Sequence, residues 1–104
     1  MAYKIHLTEQ ARQDLREIYE YIAFALLEPE IARKVRKRIT DKLYSLKETP
    51  EMYAVYQEEP WKSRGLRRIN IENYSGFYLI EGKNVQVIRI LYSGRDISNI
   101  LSSE

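Results

Sequence analysis

The 104-residue chain contains no cysteine and only one histidine, His6. Without cysteine there is no disulfide framework, no thiol nucleophile and no thiolate metal site. A single histidine argues against a His-based zinc centre and against a Ser-His-Asp triad. No apolar run approaches the roughly 20 residues of a membrane span, and the first residues lack the charged-then-apolar pattern of a secretory signal. Prolines number three and glycines four, so each break in the chain is informative. The expectation is one cytoplasmic domain over residues 1–104, with no cofactor, no metal and no membrane association.

What the chain does have is segregated charge and many tyrosines. The net charge of +2 and the nine tyrosines say little by themselves. Residues 33–47, however, carry seven basic groups against Asp41, while residues 48–63 carry Lys62 against four glutamates. Such blocks predict separate positive and negative faces, which steer encounters with charged partners.

Tyr3, Ile5 and Leu7 alternate with Lys4 and His6, the period of a half-buried strand. Thr8 is a candidate N-cap, with Glu9 in the first turn. Ala11, Leu15, Ile18, Ile22 and Ala25, widened by Tyr19 and Leu26, form one helical stripe, with Arg12, Asp14, Arg16, Glu17 and Glu20 assigned to the outer side. Glu28-Pro29 ends that helix and starts another. Its stripe is Ala32, Val35, Ile39, Leu43 and Leu46. Residues 48–63 read as a loop pinned by Tyr53, Val55, Tyr56 and Trp61. Strands follow at Leu66–Ile71, Tyr74–Ile80 and Val85–Tyr92, joined by turns at Glu72-Asn73 and at Glu81-Gly82-Lys83-Asn84. Ile97, Ile100 and Leu101 suggest a terminal turn that packs back.

The order β-α-α-β-β-β predicts a two-layer α+β fold: a helical hairpin on one face of a small, mainly antiparallel sheet. Simple alternation puts Arg89 with Val85, Val87 and Leu91, opposite Ile88 and Ile90. The second face is then expected to be bare, cationic and partly apolar, with Asp96 or Glu72 available to pair Arg89.

Arg64, Arg67, Arg68, Arg89 and Arg95 are interleaved with Tyr74, Tyr78 and Tyr92. Guanidinium groups bind phosphate bidentately and tyrosines offer stacking platforms, so the set suits RNA or a carboxylate-rich protein surface. Ordinary strand-edge arginines and core tyrosines fit it as well. Metal-free RNA cleavage also needs a base for the 2′-hydroxyl and a proton donor for the leaving oxygen. Cations are plentiful, but no convincing base is evident.

Several segments, in this order, resemble the RelE/ParE family of bacterial toxins. Ala11–Ala23, Pro29–Ala32 and Thr49-Pro50-Glu51-Met52 resemble its two helices and the turn after them. Arg64–Tyr78 and Val87–Asp96 resemble its hairpin and the end of its sheet. The resemblance implies the toxin of a type II toxin–antitoxin pair, neutralised by a cognate antitoxin whose C-terminal segment folds across it in a hetero-oligomer. Two activities occur in the family: poisoning of DNA gyrase, and ribosome-dependent cleavage of mRNA. The Ser93-Gly94-Arg95-Asp96 ending and Ile97–Leu101 look more like the gyrase-poisoning branch. The residues implicated for contact with target or antitoxin are Arg64, Arg67, Arg68, Tyr74, Tyr78, Arg89, Tyr92, Arg95 and Asp96. For a ribonuclease, Arg67, Arg89, Tyr92 and Arg95 would form the catalytic set. The basic block Arg33–Lys37 suits antitoxin, gyrase, DNA phosphates or water.

Overall fold

Thr8 joins the first strand to the first helix and shows how the sequence fixes both. The computed structural model describes residues 2–103. Strand β1 (Lys4–Leu7) runs into helix α1 (Glu9–Glu20), and the Thr8 hydroxyl accepts from the Ala11 N–H at 3.1 Å. A π-helical turn, Tyr21–Ala25, extends α1. Helix α2 (Pro29–Tyr44) returns antiparallel, with Pro29 in its first turn. Short 3₁₀ turns at Ser45–Lys47 and Pro50–Met52 lead to helix α3 (Trp61–Arg64). Strands β2 (Arg67–Ile71), β3 (Tyr74–Glu81) and β4 (Asn84–Tyr92) follow, and helix α4 (Ile97–Ser102) comes last.

The sheet order is β1-β4-β3-β2, antiparallel except for the parallel pair β1–β4. β4 is therefore central, as its two apolar faces require. The α+β fold, with a helical hairpin on one face of the sheet, is as expected. Ala32, Ile39, Leu43 and Leu46 are all buried. Ile39 and Leu43 share a core with Ala11, Ile69, Ile71, Tyr78, Val85, Val87 and Ile90. The Tyr78 hydroxyl donates to the Pro50 carbonyl at 2.5 Å, which ties the segment after α2 to the sheet. Burial raises the Tyr78 phenol well above its ordinary pKa and keeps it a donor.

Three sequence expectations are corrected. The first concerns alternation in β4. Phe77 faces Arg89 and Tyr78 faces Val87, so Ile88 is an extra residue, a β-bulge. Val85, Val87 and Ile90 therefore share the helix-side core, while Ile88 and Leu91 join the other side. The β1–α1 junction grips this bulge. The Thr8 N–H donates to the Val87 carbonyl at 3.0 Å and its hydroxyl donates to the Ile88 carbonyl at 3.2 Å.

The second correction concerns the face expected to be bare. Trp61, Leu66, Phe77, Leu91, Ile97 and Leu101 form a second buried cluster, with Tyr56 packed against it. The segment before β2 and helix α4 cover this face, and the Trp61 indole donates to the Leu101 carbonyl at 3.0 Å. A small sheet with two apolar faces needs such a cover, and the chain supplies it from short elements.

The third concerns the end of the first helix. Ala25 and Leu26, expected on the buried stripe, are exposed, and Ala23 is buried instead. The π turn inserts a residue, seen in the Leu26 N–H bonding to the Tyr21 carbonyl, and so rotates the stripe.

Candidate functional site

The charged residues singled out by sequence divide into those used inside the chain and those left for a partner. Asp14 was assigned to the outer side of α1, yet it is only 5% exposed. It accepts from Arg89 Nε at 2.8 Å, from Arg89 Nη2 at 3.0 Å and from the Ile90 N–H at 2.9 Å. Arg89 is thus paired by Asp14 and not by Asp96 or Glu72. Its side chain is 12% exposed, because the bulge and the first turns of α1 close over it. A charge in an apolar strand is tolerable only with such a partner.

Arg67 lies on β2 and donates to the carbonyls of Glu51 and Tyr53, at 3.0 and 2.5 Å. Arg68 donates to Asn70 and Ser75 and stacks over the Phe77 ring. Arg64 stacks over Trp61. Asp96 caps α4 by accepting from the Asn99 side chain at 2.6 Å and from its N–H at 3.4 Å. Within the basic block, Arg33 pairs with Glu30, Lys37 with Asp41 at 2.7 Å and Arg38 with Glu72 at 3.2 Å, while Arg36 stacks on Tyr19. Those pairs are exposed and each contributes little stability, but they lower the local positive field.

Tyr74, Tyr92 and Arg95 do come together. They line one wall of a cleft of about 950 Å³, whose other wall is Ile18, Tyr21, Ile31 and Val35 of the hairpin. Tyr92 is 51% exposed and meets Tyr74 edge to face, with ring centroids 5.8 Å apart. Burial holds the Tyr74 phenol above its ordinary pKa, and the neighbouring Tyr92 and Tyr21 add to the rise. Gly94 leaves room for this ring: a Cβ on it would stand 2.5 Å from Tyr92 Cε2 and would have to displace the half-exposed Tyr92 side chain. The Arg95 guanidinium has no hydrogen-bond or ion-pair partner among the described residues. The cleft is walled mainly by apolar groups; Glu17, the Arg38–Glu72 pair and the Arg89-bound Asp14 also line it, and Arg95 is the cation on its lining without a partner among the described residues. The cleft suits an amphipathic chain carrying a carboxylate.

The four residues of the nuclease reading do not converge. Arg67 faces Tyr78 and Tyr92 faces Tyr74, so they stand four residues apart along β3, about 13 Å at strand rise. Arg89 is turned to Asp14. His6 is exposed and contacts Asn84, away from the cleft. Among the described residues, no three His, Asp or Glu side chains gather as a metal site would need.

The hairpin wall of the cleft is not foreseen from the sequence, where Ile18, Leu26 and Val35 are expected in the buried stripes and Tyr21 and Ile31 are given no role. The outer-side expectation for Asp14 is likewise wrong, although its spacing from Ala11 and Ile18 is a signal that puts it beside the buried stripe.

Comparison with known proteins agrees with this geometry. A chain of the chromosomal ParDE toxin–antitoxin system of P. aeruginosa superposes with a TM-score of 0.73 and 26% identity, over 88% of this chain and 96% of that one. An E. coli RelE toxin mutant in the free state gives 0.67 at 20% identity, over 98% of this chain and 93% of that one. The RelBE2 toxin–antitoxin complex of Mycobacterium tuberculosis gives 0.61 at 19%, over 88% and 99%. The last two show a shared fold only. No curated protein matches the sequence. The family model for the ParE toxin of type II toxin–antitoxin systems matches residues 5–97, nearly the whole chain, and this protein therefore belongs to that toxin family.

Proposed function

We propose that this toxin acts in the cytoplasm by binding and poisoning DNA gyrase, with no bond chemistry of its own. In this reading residues 1–104 act as one toxin domain, and a cognate antitoxin neutralises it by laying an acidic, amphipathic C-terminal segment in the cleft. The observation that carries the reading is the internal use of the cations. Cleavage of RNA needs guanidinium groups free for the phosphorane charge and a base near a proton donor. Arg89 is committed to Asp14 and Arg67 to two backbone carbonyls, with Tyr92 far from Arg67. In this reading the contact set is Tyr74, Tyr92 and Arg95, which share the cleft, while Arg67, Arg68, Tyr78, Arg89 and Asp96 are engaged within the chain and Arg64 is exposed over Trp61. The ParDE superposition supports the same branch.

The reading gives the Tyr92 hydroxyl no proton to transfer. A general acid contributes about 10²–10⁴-fold, so Tyr92→Phe should leave growth inhibition within about twofold of wild type. Toxicity lost at an unchanged melting temperature would instead favour ribosome-dependent mRNA cleavage.

A further inference from the structure

We propose that the tip of the helical hairpin is the surface by which the toxin docks on its target, and that Phe24 and Leu27 enter an apolar pocket edged by lysine or arginine on a folded protein. The proposal rests on the reading that the toxin acts by binding. It assigns that binding to a place distinct from the floor of the cleft.

Three observations converge on the tip. The first is exposure: Phe24 is 68% and Leu27 78% exposed, with Tyr21, Leu26 and Ile31 exposed beside them. Single exposed apolar residues are ordinary, but five within eleven positions form a patch of the kind that marks an interaction site. The second is backbone conformation. Leu27 ends the helix in the left-handed region, at φ +56°, and the Glu28 N–H bonds back to the Ile22 carbonyl. Glycine or asparagine usually fills that position, because a larger side chain is strained there. Here the strained residue is a leucine directed to solvent, just after a π turn, another feature frequent at functional sites.

The third observation is charge. Glu20 and Glu28 flank the patch and are exposed, as is Lys34 one turn beyond Ile31, while Glu17 lies on the lining of the cleft and accepts from Gln13. Glu20 and Glu28 have no side-chain partner among the described residues, and the nearby Arg33 is occupied by Glu30. On the side of Glu20 and Glu28 the apolar patch is edged by unpaired negative charge, which is complemented by an apolar pocket edged with positive charge.

Shape separates this surface from the cleft. A flexible segment buries most of its area in a concave cleft. On a convex tip it would bury only one side and still lose its chain entropy. A protruding tip suits a preformed pocket on a folded partner. Tyr21, Leu26 and Ile31 belong to both surfaces, so a chain lying in the cleft would also cover half of the tip. Neutralisation would then work by occlusion.

The test uses the full chain carrying Phe24→Ser, Leu27→Gly or both. It reads growth inhibition, inhibition of purified gyrase, melting temperature and affinity for the antitoxin. Leu27→Gly separates structure from function, since it relieves the left-handed strain while removing the anchor. Its melting temperature should be unchanged or higher. Growth inhibition should fall at least about tenfold, as for a buried anchor, while antitoxin affinity stays within about threefold. Full toxicity of the double variant would overturn the proposal. So would an antitoxin affinity that falls by the same factor as toxicity, because the tip would then be antitoxin site. Growth inhibition reports on the tip whatever the target. If it falls while the wild-type chain leaves gyrase unaffected, the gyrase reading fails and the docking role of the tip stands.

Discussion

Asp14→Ala should lower stability by about 3–5 kcal/mol, the usual loss when one member of a buried ion pair is removed. The variant removes the Asp14 carboxylate from beside the Arg89 guanidinium, 12% exposed, and leaves the Ile90 N–H without its acceptor. Gln10, which donates to Asp14 at 3.1 Å, loses its partner too. For a chain of this size 1 kcal/mol shifts the melting temperature by about 4–8 °C, so the fall should exceed about 12 °C. Thermal melting followed by circular dichroism checks it. The Asp14→Asn variant keeps the volume and one acceptor oxygen and should lose less. A drop of only a few degrees in Asp14→Ala would mean that Arg89 finds another anion or reaches water, and would reopen a partner-binding role for it.

Ile39→Asp should be more severe and abolish folding. Ile39 is 1% exposed and sits in the middle of the core between α2 and the sheet. Truncating such a side chain costs about 2–5 kcal/mol through lost burial and a cavity. An unpaired carboxylate in the same place costs several kcal/mol more, or must be protonated at matching expense. The sum approaches the whole stability of an ordinary domain, about 5–15 kcal/mol. The expected outcome is an unfolded chain by circular dichroism, without toxicity. Ile39→Val, which costs about 0.5–1.5 kcal/mol, should remain folded and serves as the control. A cooperative melt of Ile39→Asp near the wild-type temperature would refute the placement of the α2 stripe.

The elements with one dominant physical signal were legible in the sequence. The α2 stripe, the Thr8 cap, the Pro29 start and the central position of β4 all follow from local period or backbone chemistry. The bulge was not legible, because Ile88 is displaced by its registry with β3 and by the grip of Thr8, both long-range. The cover on the second face was missed for a similar reason. Trp61 and Leu101 lie 40 positions apart, and only the folded chain brings the indole to that carbonyl. The positive φ of the β2–β3 turn falls on Glu72, not on Asn73 as composition suggested. Of the candidate site, the tyrosine–arginine end of the sheet was readable from Tyr74, Tyr92 and Arg95. The hairpin wall was not, because exposed apolar groups follow the same period as buried ones.

The central claim, that this toxin acts by binding without cleaving RNA, is tested most directly by comparing two substrates with one purified sample. DNA supercoiling by gyrase and mRNA on translating ribosomes would be assayed at equal toxin concentration. A gyrase-binding toxin blocks supercoiling or traps cleaved DNA, its antitoxin reverses this, and the mRNA stays intact. Cleaved mRNA with unaffected supercoiling would contradict the claim.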